Sequence, residues 1–165
     1  MLDLTKQHNL SFIAISETCR RDFTDPFLKN LSAGKNFLWH VKEPNGRSGG
    51  ILMGIDVQVF VIGAIEDGDF FVKFHLITKG DNFKWALVCV YGPAQEDRKV
   101  RFLTGLANLG ARERLPILIG GDFNILRNPK EKNKPNFNPR WPFLFNAVIE
   151  GRNLRELDIT GRQFT

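Results

Sequence analysis

Residues Leu115 to Leu126, LPILIGGDFNIL, constrain this chain more than any other stretch. Leu115, Ile117, Leu118 and Ile119 run into a glycine pair, Gly120-Gly121. A short apolar run bounded by Pro116 and Gly120 predicts a strand buried on both faces. The glycines let the backbone turn or come close to something. Asp122 and Asn124 follow, two residues apart. If the backbone stays extended, alternation places both on the same side. A carboxylate and an amide are then delivered together at the carboxyl end of a strand, where open α/β sheets bind ligands. The same two residues are also ordinary turn formers, because their side chains bond the backbone two residues on.

A chain of 165 residues predicts a single domain, 1–165, long enough to bury a real core. Hydrophobic and charged contents of 42% and 25% are those of an ordinary soluble globular protein. No apolar run is long enough to cross a bilayer, and MLDLTKQHNL has no basic region followed by an apolar one, so neither a membrane partner nor a secretory signal is expected. Cys19 and Cys89 form neither a metal spacing nor a disulfide framework, so no disulfide-linked partner is expected. Cys89 lies inside an apolar run and reads as a buried small hydrophobe in a protein of a reducing compartment. The net charge of +5 suits a polyanionic partner and raises nucleic-acid binding modestly.

Along the chain, Leu2, Leu4 and Leu10 predict a short helix, and Ser11 to Ser16 a strand with Glu17 at its end. A helix over Pro26 to Ala33 stops at Gly34. Strands follow at Asn36 to Val41 and Ile51 to Ile55, separated by PNGRSGG turn chemistry from Pro44 to Gly50. Alternation over Val57 to Ile62 predicts another strand. Asp69 to Ile77 and Phe83 to Tyr91 are rich in β-branched and aromatic residues and form a hairpin about Lys79 to Asn82. Glu96 to Arg112 is the clearest helix, with Val100, Leu103, Leu106, Ala107 and Leu109 on its apolar stripe. Arg127 to Arg140 is a long, basic, proline-containing loop, and long loops often carry function. A helix over Trp141 to Glu150, with Pro142 in its first turn, precedes a short helix or strand at Leu154 to Asp158. GRQFT reads as the opening of a further strand. The order, α/β then antiparallel then α/β, points to two packed sheets with helices outside.

Glu17 and Asp122 are hard oxygen donors, and Asn124 adds a neutral oxygen and an amide donor. No Cys/His cluster favours zinc. Few carboxylates without soft ligands suit Mg²⁺ or Mn²⁺ held partly by water and substrate phosphate. Tyr91 could donate a hydrogen bond to the same phosphate, or be a strand-end tyrosine with its hydroxyl in water. His8, His40 and His75 have no carboxylate partner that spacing identifies, and His75 reads as structural. Nucleophile elbow, P-loop and GxGxxG patterns are all missing from the sequence. Spacing leaves open whether Glu17 and Asp122 meet.

Four signals occur in a fixed order: ISET with Glu17, SGGI at Ser48 to Ile51, VYGP with Tyr91, and GGDFN with Asp122 and Asn124. This ordered set resembles the endonuclease/exonuclease/phosphatase superfamily. NGRSGGIL, LPILIGGDFNIL and RWPFLFNAVIE are similar, more narrowly, to the endonuclease domain of plant non-LTR (LINE-type) retrotransposon proteins. The resemblance covers essentially the whole chain. It implies a four-layer α/β sandwich, two facing mixed sheets with outer helices. It further implies that Glu17 binds the metal, Mg²⁺ or Mn²⁺, that Asp122 orients or activates the attacking water, that Asn124 positions water and phosphate, and that Tyr91 faces the phosphate. The implied reaction is hydrolysis of a phosphodiester, nicking DNA at an insertion target. Arg127, Lys130, Lys132 and Arg140 are the substrate-binding candidates of the basic loop.

Family members begin with an extra strand carrying an asparagine near the metal, and end with a further aspartate and a Ser-Asp-His segment. Neither fits between Met1 and Thr165. The expectation is a domain truncated at both ends, its activity impaired because one positioned acid/base group is worth ~10²–10⁴-fold in rate. The alternatives are a non-catalytic nucleic-acid-binding remnant and a phosphoesterase acting on a phosphoinositide or small phosphoester. By the same resemblance, an intact parent protein carries a reverse transcriptase domain and works inside the cell, in the nucleus.

Overall fold

β-branched and aromatic residues fit a pleated, half-buried surface, and they build two sheets here. The computed structural model describes residues 2–44, 49–127 and 138–157. These divide into two compact units: the residues up to Tyr91 together with Leu115–Asp122, and Gly92–Arg114 together with the residues from Phe123 onward.

The first unit opens with helix α1 (Leu2–Gln7), strand β1 (Phe12–Ser16) and helix α2 (Asp25–Leu31). β1 pairs antiparallel with β3 (Ile51–Asp56), which pairs antiparallel with β2 (Phe37–Lys42). β3 is the central strand, and all six of its residues are buried. Its alternation divides it between two cores. Ile51, Met53 and Ile55 enter one core with Phe60, Val72, Phe74, Leu76, Leu87 and Cys89 of the second sheet. Leu52 packs the other way, with Ile13, Leu31 and Phe37. On that same face the Trp39 ring lies over Gly54, where a Cβ would stand 2.4 Å from ring carbon Cζ3. α1 is tied to α2 by the buried Thr5 hydroxyl, which donates to Leu31 O at 2.9 Å.

The second sheet has the order β4 (Phe60–Asp67), β5 (Phe71–Thr78), β6 (Lys84–Tyr91), β7 (Ile117–Asp122). β4, β5 and β6 are antiparallel, and the β5–β6 pair is the expected hairpin. β6 and β7 are parallel, with Tyr91 opposite Asp122. Only this sheet is mixed; the first is antiparallel throughout, because β1 and β2 both run against β3. The two sheets are joined at one side by His40 of β2, whose Nε2 lies 2.8 Å from Asp67 Oδ1 of β4. No sequence spacing announces that pair.

Two strand expectations need correction. Val57 to Val59 are not strand: the Asp56 carboxylate accepts from the Gln58 amide at 2.9 Å and its carbonyl from the Val59 amide at 3.2 Å, closing a turn before β4 begins at Phe60. β7 is half-buried to exposed rather than buried on both faces, because β6 is its only partner among the described residues.

The second unit contains α3 (Glu96–Arg112) and α4 (Arg140–Gly151). α3 has the bounds its periodicity predicts, but its buried stripe is Phe102, Leu103, Leu106 and Leu109, and Val100 is 48% exposed. Phe102, four residues before Leu106, takes the position on the stripe, and Val100 turns outward. The Phe123 ring packs between Phe102 (centroids 6.4 Å apart) and Phe145 of α4 (5.2 Å). Trp141 is buried beneath two cations, Lys99 Nζ at 5.6 Å and the Arg140 guanidinium at 5.1 Å from its ring centre. Leu154 to Leu157 form neither helix nor strand; Asp158 and GRQFT lie outside the described residues.

Candidate active site at three strand ends

β1, β6 and β7 each deliver one polar side chain at the carboxyl end: Glu17, Tyr91 and Asp122. The Tyr91 hydroxyl donates to Glu17 Oε1 at 3.1 Å, across 74 residues of sequence. Asp122 is the register partner of Tyr91 on the neighbouring parallel strand. Burial first, then the hydrogen bond and the negative charge of Glu17, then the charges of Asp122 and Cys19, hold the Tyr91 hydroxyl above its ordinary pKa of 10.0. At neutral pH the phenol, on the strand beside the one that ends at Asp122, therefore bears its proton and donates it in a hydrogen bond to Glu17.

The local backbone explains how three distant residues reach one place. Glu17 and Cys19 are left-handed, at φ 57° and 50°. Residues other than glycine hold that conformation only when their surroundings impose it. The Thr18 and Cys19 amides donate to Gly50 O (3.3 Å) and Gly49 O (3.1 Å). On the other strand pair, Gly121 has φ 124°, and a Cβ there would lie 2.2 Å from Val90 O. Glycine lets β7 approach β6 closely enough to bring Asp122 beside Tyr91. Gly120, its neighbour, has nothing within 4 Å of a Cβ.

The donor set can be tested against a divalent ion. Among the described residues, no three His, Cys, Asp or Glu side chains are grouped to hold a metal. Two carboxylates flanking a phenol do not make an all-protein cage. They do fit Mg²⁺, which keeps several waters and is held by one or two carboxylates together with substrate phosphate. Glu17 is the residue that would hold it, with Asp122 left to act on water.

The remaining expected site residues are placed differently. Asn124 does not continue the extended backbone: β7 ends at Asp122, and Asn124 is left-handed at φ 49°. Its side-chain amide donates to Gly92 O at 2.9 Å within the second unit. The alternation argument that put Asp122 and Asn124 on one side thus fails at the strand end. Arg127 is tied up structurally: Nε donates to Asn146 Oδ1 at 2.8 Å, and a terminal nitrogen pairs with Glu156. Arg140 is exposed and lies over Trp141. Lys130 and Lys132 lie outside the described residues. Thr18, Cys19, Gly49 and Gly50 are the site residues that spacing misses. The ISET motif, which ends at Thr18, and the Gly-Gly pair in SGGI are their visible signals, and nothing local says that the two touch.

Fold and site first define a class, an α/β sandwich with an acidic, oxygen-rich site at the carboxyl ends of its strands. Residues 1–163 match the Endonuclease/Exonuclease/phosphatase family, and the chain belongs to that family. Solved structures agree in fold. An AP endonuclease from Archaeoglobus fulgidus superposes with a TM-score of 0.67 at 15% identity, over 91% of this chain and 63% of that one. ANGEL2, a 2',3'-cyclic phosphatase, gives 0.65 at 15% identity over 91% and 46%. The human Nocturnin catalytic domain gives 0.58 at 13% identity over 92% and 60%. This chain thus spans about half to two thirds of the length of the structures it resembles. No curated protein sequence matches it. No helix among the described residues is long and apolar enough to cross a membrane.

Proposed function

We propose that this chain is a divalent-metal-dependent phosphodiester hydrolase that nicks DNA. The observation that carries the reading is the meeting of Glu17, Tyr91 and Asp122: the phenol donates to one carboxylate at 3.1 Å and stands opposite the other in the β6–β7 register. Bound Mg²⁺ or Mn²⁺ would polarise a phosphoryl oxygen and stabilise charge developing there. Tyr91, kept protonated by burial and by its acidic neighbours, turns its one hydroxyl hydrogen from Glu17 to a phosphate oxygen when substrate binds. Asp122 accepts a proton from the attacking water and orients it. Glu17 contributes negative charge that binds the cation. The Asn124 amide, held on Gly92 O, shapes the turn that follows Asp122.

DNA is favoured over a small ester by the net charge of +5, by the fold shared with an AP endonuclease, and by the retroelement-like motifs. Origin in a LINE-type element, with a reverse transcriptase domain in the parent protein and action in the nucleus, rests on those motifs alone. A second reading, hydrolysis of a small phosphoester, is favoured by the comparable TM-score, 0.65 against 0.67, to a 2',3'-cyclic phosphatase.

The test is nicking of supercoiled plasmid by the purified chain with Mg²⁺, beside Asp122→Ala and an EDTA control, with phosphate release from small esters assayed in parallel. Nicking lost in both controls supports the proposal. Ester hydrolysis without nicking supports the second reading. Salt-dependent DNA binding that survives Asp122→Ala, with no cleavage, refutes both and leaves a non-catalytic binding remnant.

A further inference from the structure

We propose that Gly49 and Gly50 are the positioning residues of this site, a two-glycine clamp that holds the Glu17 loop on one side and the Tyr91 ring on the other. Both glycines are left-handed, at φ 91° and 85°. In that conformation their carbonyls accept the Cys19 and Thr18 amides, at 3.1 and 3.3 Å. Those two bonds hold the chain just after Glu17, and the pairing of Ser16 with Ile51 holds it just before, so Glu17 between them keeps a left-handed backbone at φ 57°. A Cβ at position 50 would stand 2.4 Å from Thr18 Oγ1 and 3.5 Å from Cys19 N, so the loop closes down onto a bare backbone. A Cβ at position 49 would touch Tyr91 Cδ1 at 3.6 Å and Cε1 at 3.7 Å, so the ring of Tyr91 lies along the same glycine pair. Thr18 Oγ1 is buried with no hydrogen-bond partner among the described residues, so no side-chain bond from Thr18 to those residues fixes the loop. One dipeptide therefore sets both ends of the Tyr91–Glu17 hydrogen bond. The carboxylate and the phenol are in place before substrate arrives, and less ordering is left to be done on binding.

The functional meaning of the clamp rests on the hydrolase reading; its existence does not. It is tested by NMR on the full chain. Tyr91 is the only tyrosine in the sequence, so ring-labelled tyrosine gives one spin system. In the native protein the Thr18 and Cys19 amides are protected from exchange, and Tyr91 ring protons show contacts to Glu17. Gly50→Ala lowers protection at Thr18 and Cys19 by about tenfold or more and abolishes the Tyr91–Glu17 contact, while Met53 and Ile55 of β3 keep theirs. Gly49→Ala serves if Gly50→Ala does not fold, because its Cβ meets only ring atoms at ordinary contact distance. There protection at Cys19 falls by about the same factor, because alanine disfavours φ 91°. Native protection at Thr18 and Cys19, or a surviving Tyr91–Glu17 contact, in a folded variant overturns the clamp. Loss of both in the variants, with no metal-dependent hydrolysis by the native chain, upholds the clamp and overturns the hydrolase reading instead.

Discussion

Substituting Gly121 with alanine tests how β7 carries Asp122 to the site. The new Cβ would sit 2.2 Å from Val90 O, 2.9 Å from Val90 N and 3.1 Å from Val90 C, all backbone atoms of β6 that cannot rotate away. Relief requires the two strands to part by about 1 Å, since non-bonded heavy atoms rest at roughly 3.5 Å. A left-handed φ of 124° adds strain for any residue with a Cβ, of order 1–3 kcal/mol. Parting the strands weakens the ladder bonds near Val90, each worth about 0.5–1.5 kcal/mol net. Taking mid-range values for the strain and two such bonds gives about 4 kcal/mol. For a chain of this size that lowers Tm by about 8–16 °C. Gly120→Ala is the control, because a Cβ there meets nothing within 4 Å and Gly120 is absent from the positive-φ glycines. It is expected to be neutral or to stabilise by about 0.4–1 kcal/mol through the unfolded chain. Differential scanning calorimetry of the two variants decides the matter. Melting temperatures within about 2 °C of one another would refute the close-approach argument, since less than 1 kcal/mol would then separate them.

Other expectations are simpler to check. Absorbance titration follows Tyr91 alone, because the sequence contains one tyrosine. Its hydroxyl titrates above 10.0 in the folded chain, and Glu17→Ala moves it back toward that value. Because the folded pKa is the raised one, the stability this group contributes is complete below pH 10 and is lost as pH rises through the folded value; a titration at or below 10 would contradict the geometry. Phe74, fully buried between the sheets, should cost about 3–5 kcal/mol when cut to alanine, read from denaturant midpoints. A thiol reagent should label exposed Cys19 in the native chain and Cys89 only after denaturation, since burial pushes the Cys89 thiol up to about 12. Two native thiols would show that the sheet core is open.

Much of the fold could be read from local pattern. The α3 bounds, the β5–β6 hairpin and the burial of Cys89 follow from periodicity and turn residues a few positions apart. Val57 to Val59 were misleading because alternation says nothing about Asp56, whose carboxylate closes a turn there. β7 was misleading because an apolar run reports what a strand can bury, whereas its place in the sheet decides how many neighbours cover it. Asn124 leaves the extended backbone on which the alternation argument depends, since its φ is 49°.

The sequence by itself determined where most of the strands and helices form and which polar residues stand at strand ends, since these depend largely on neighbours within a few residues. Only the tertiary structure decided that Glu17 and Tyr91 meet across 74 residues, that Gly121 rather than Gly120 is pressed against another backbone, and that Arg127 is committed to Asn146 and Glu156. Each of those facts is a contact between segments distant in sequence, and such contacts are set by how the sheets and helices pack rather than by the order of residues along any one of them.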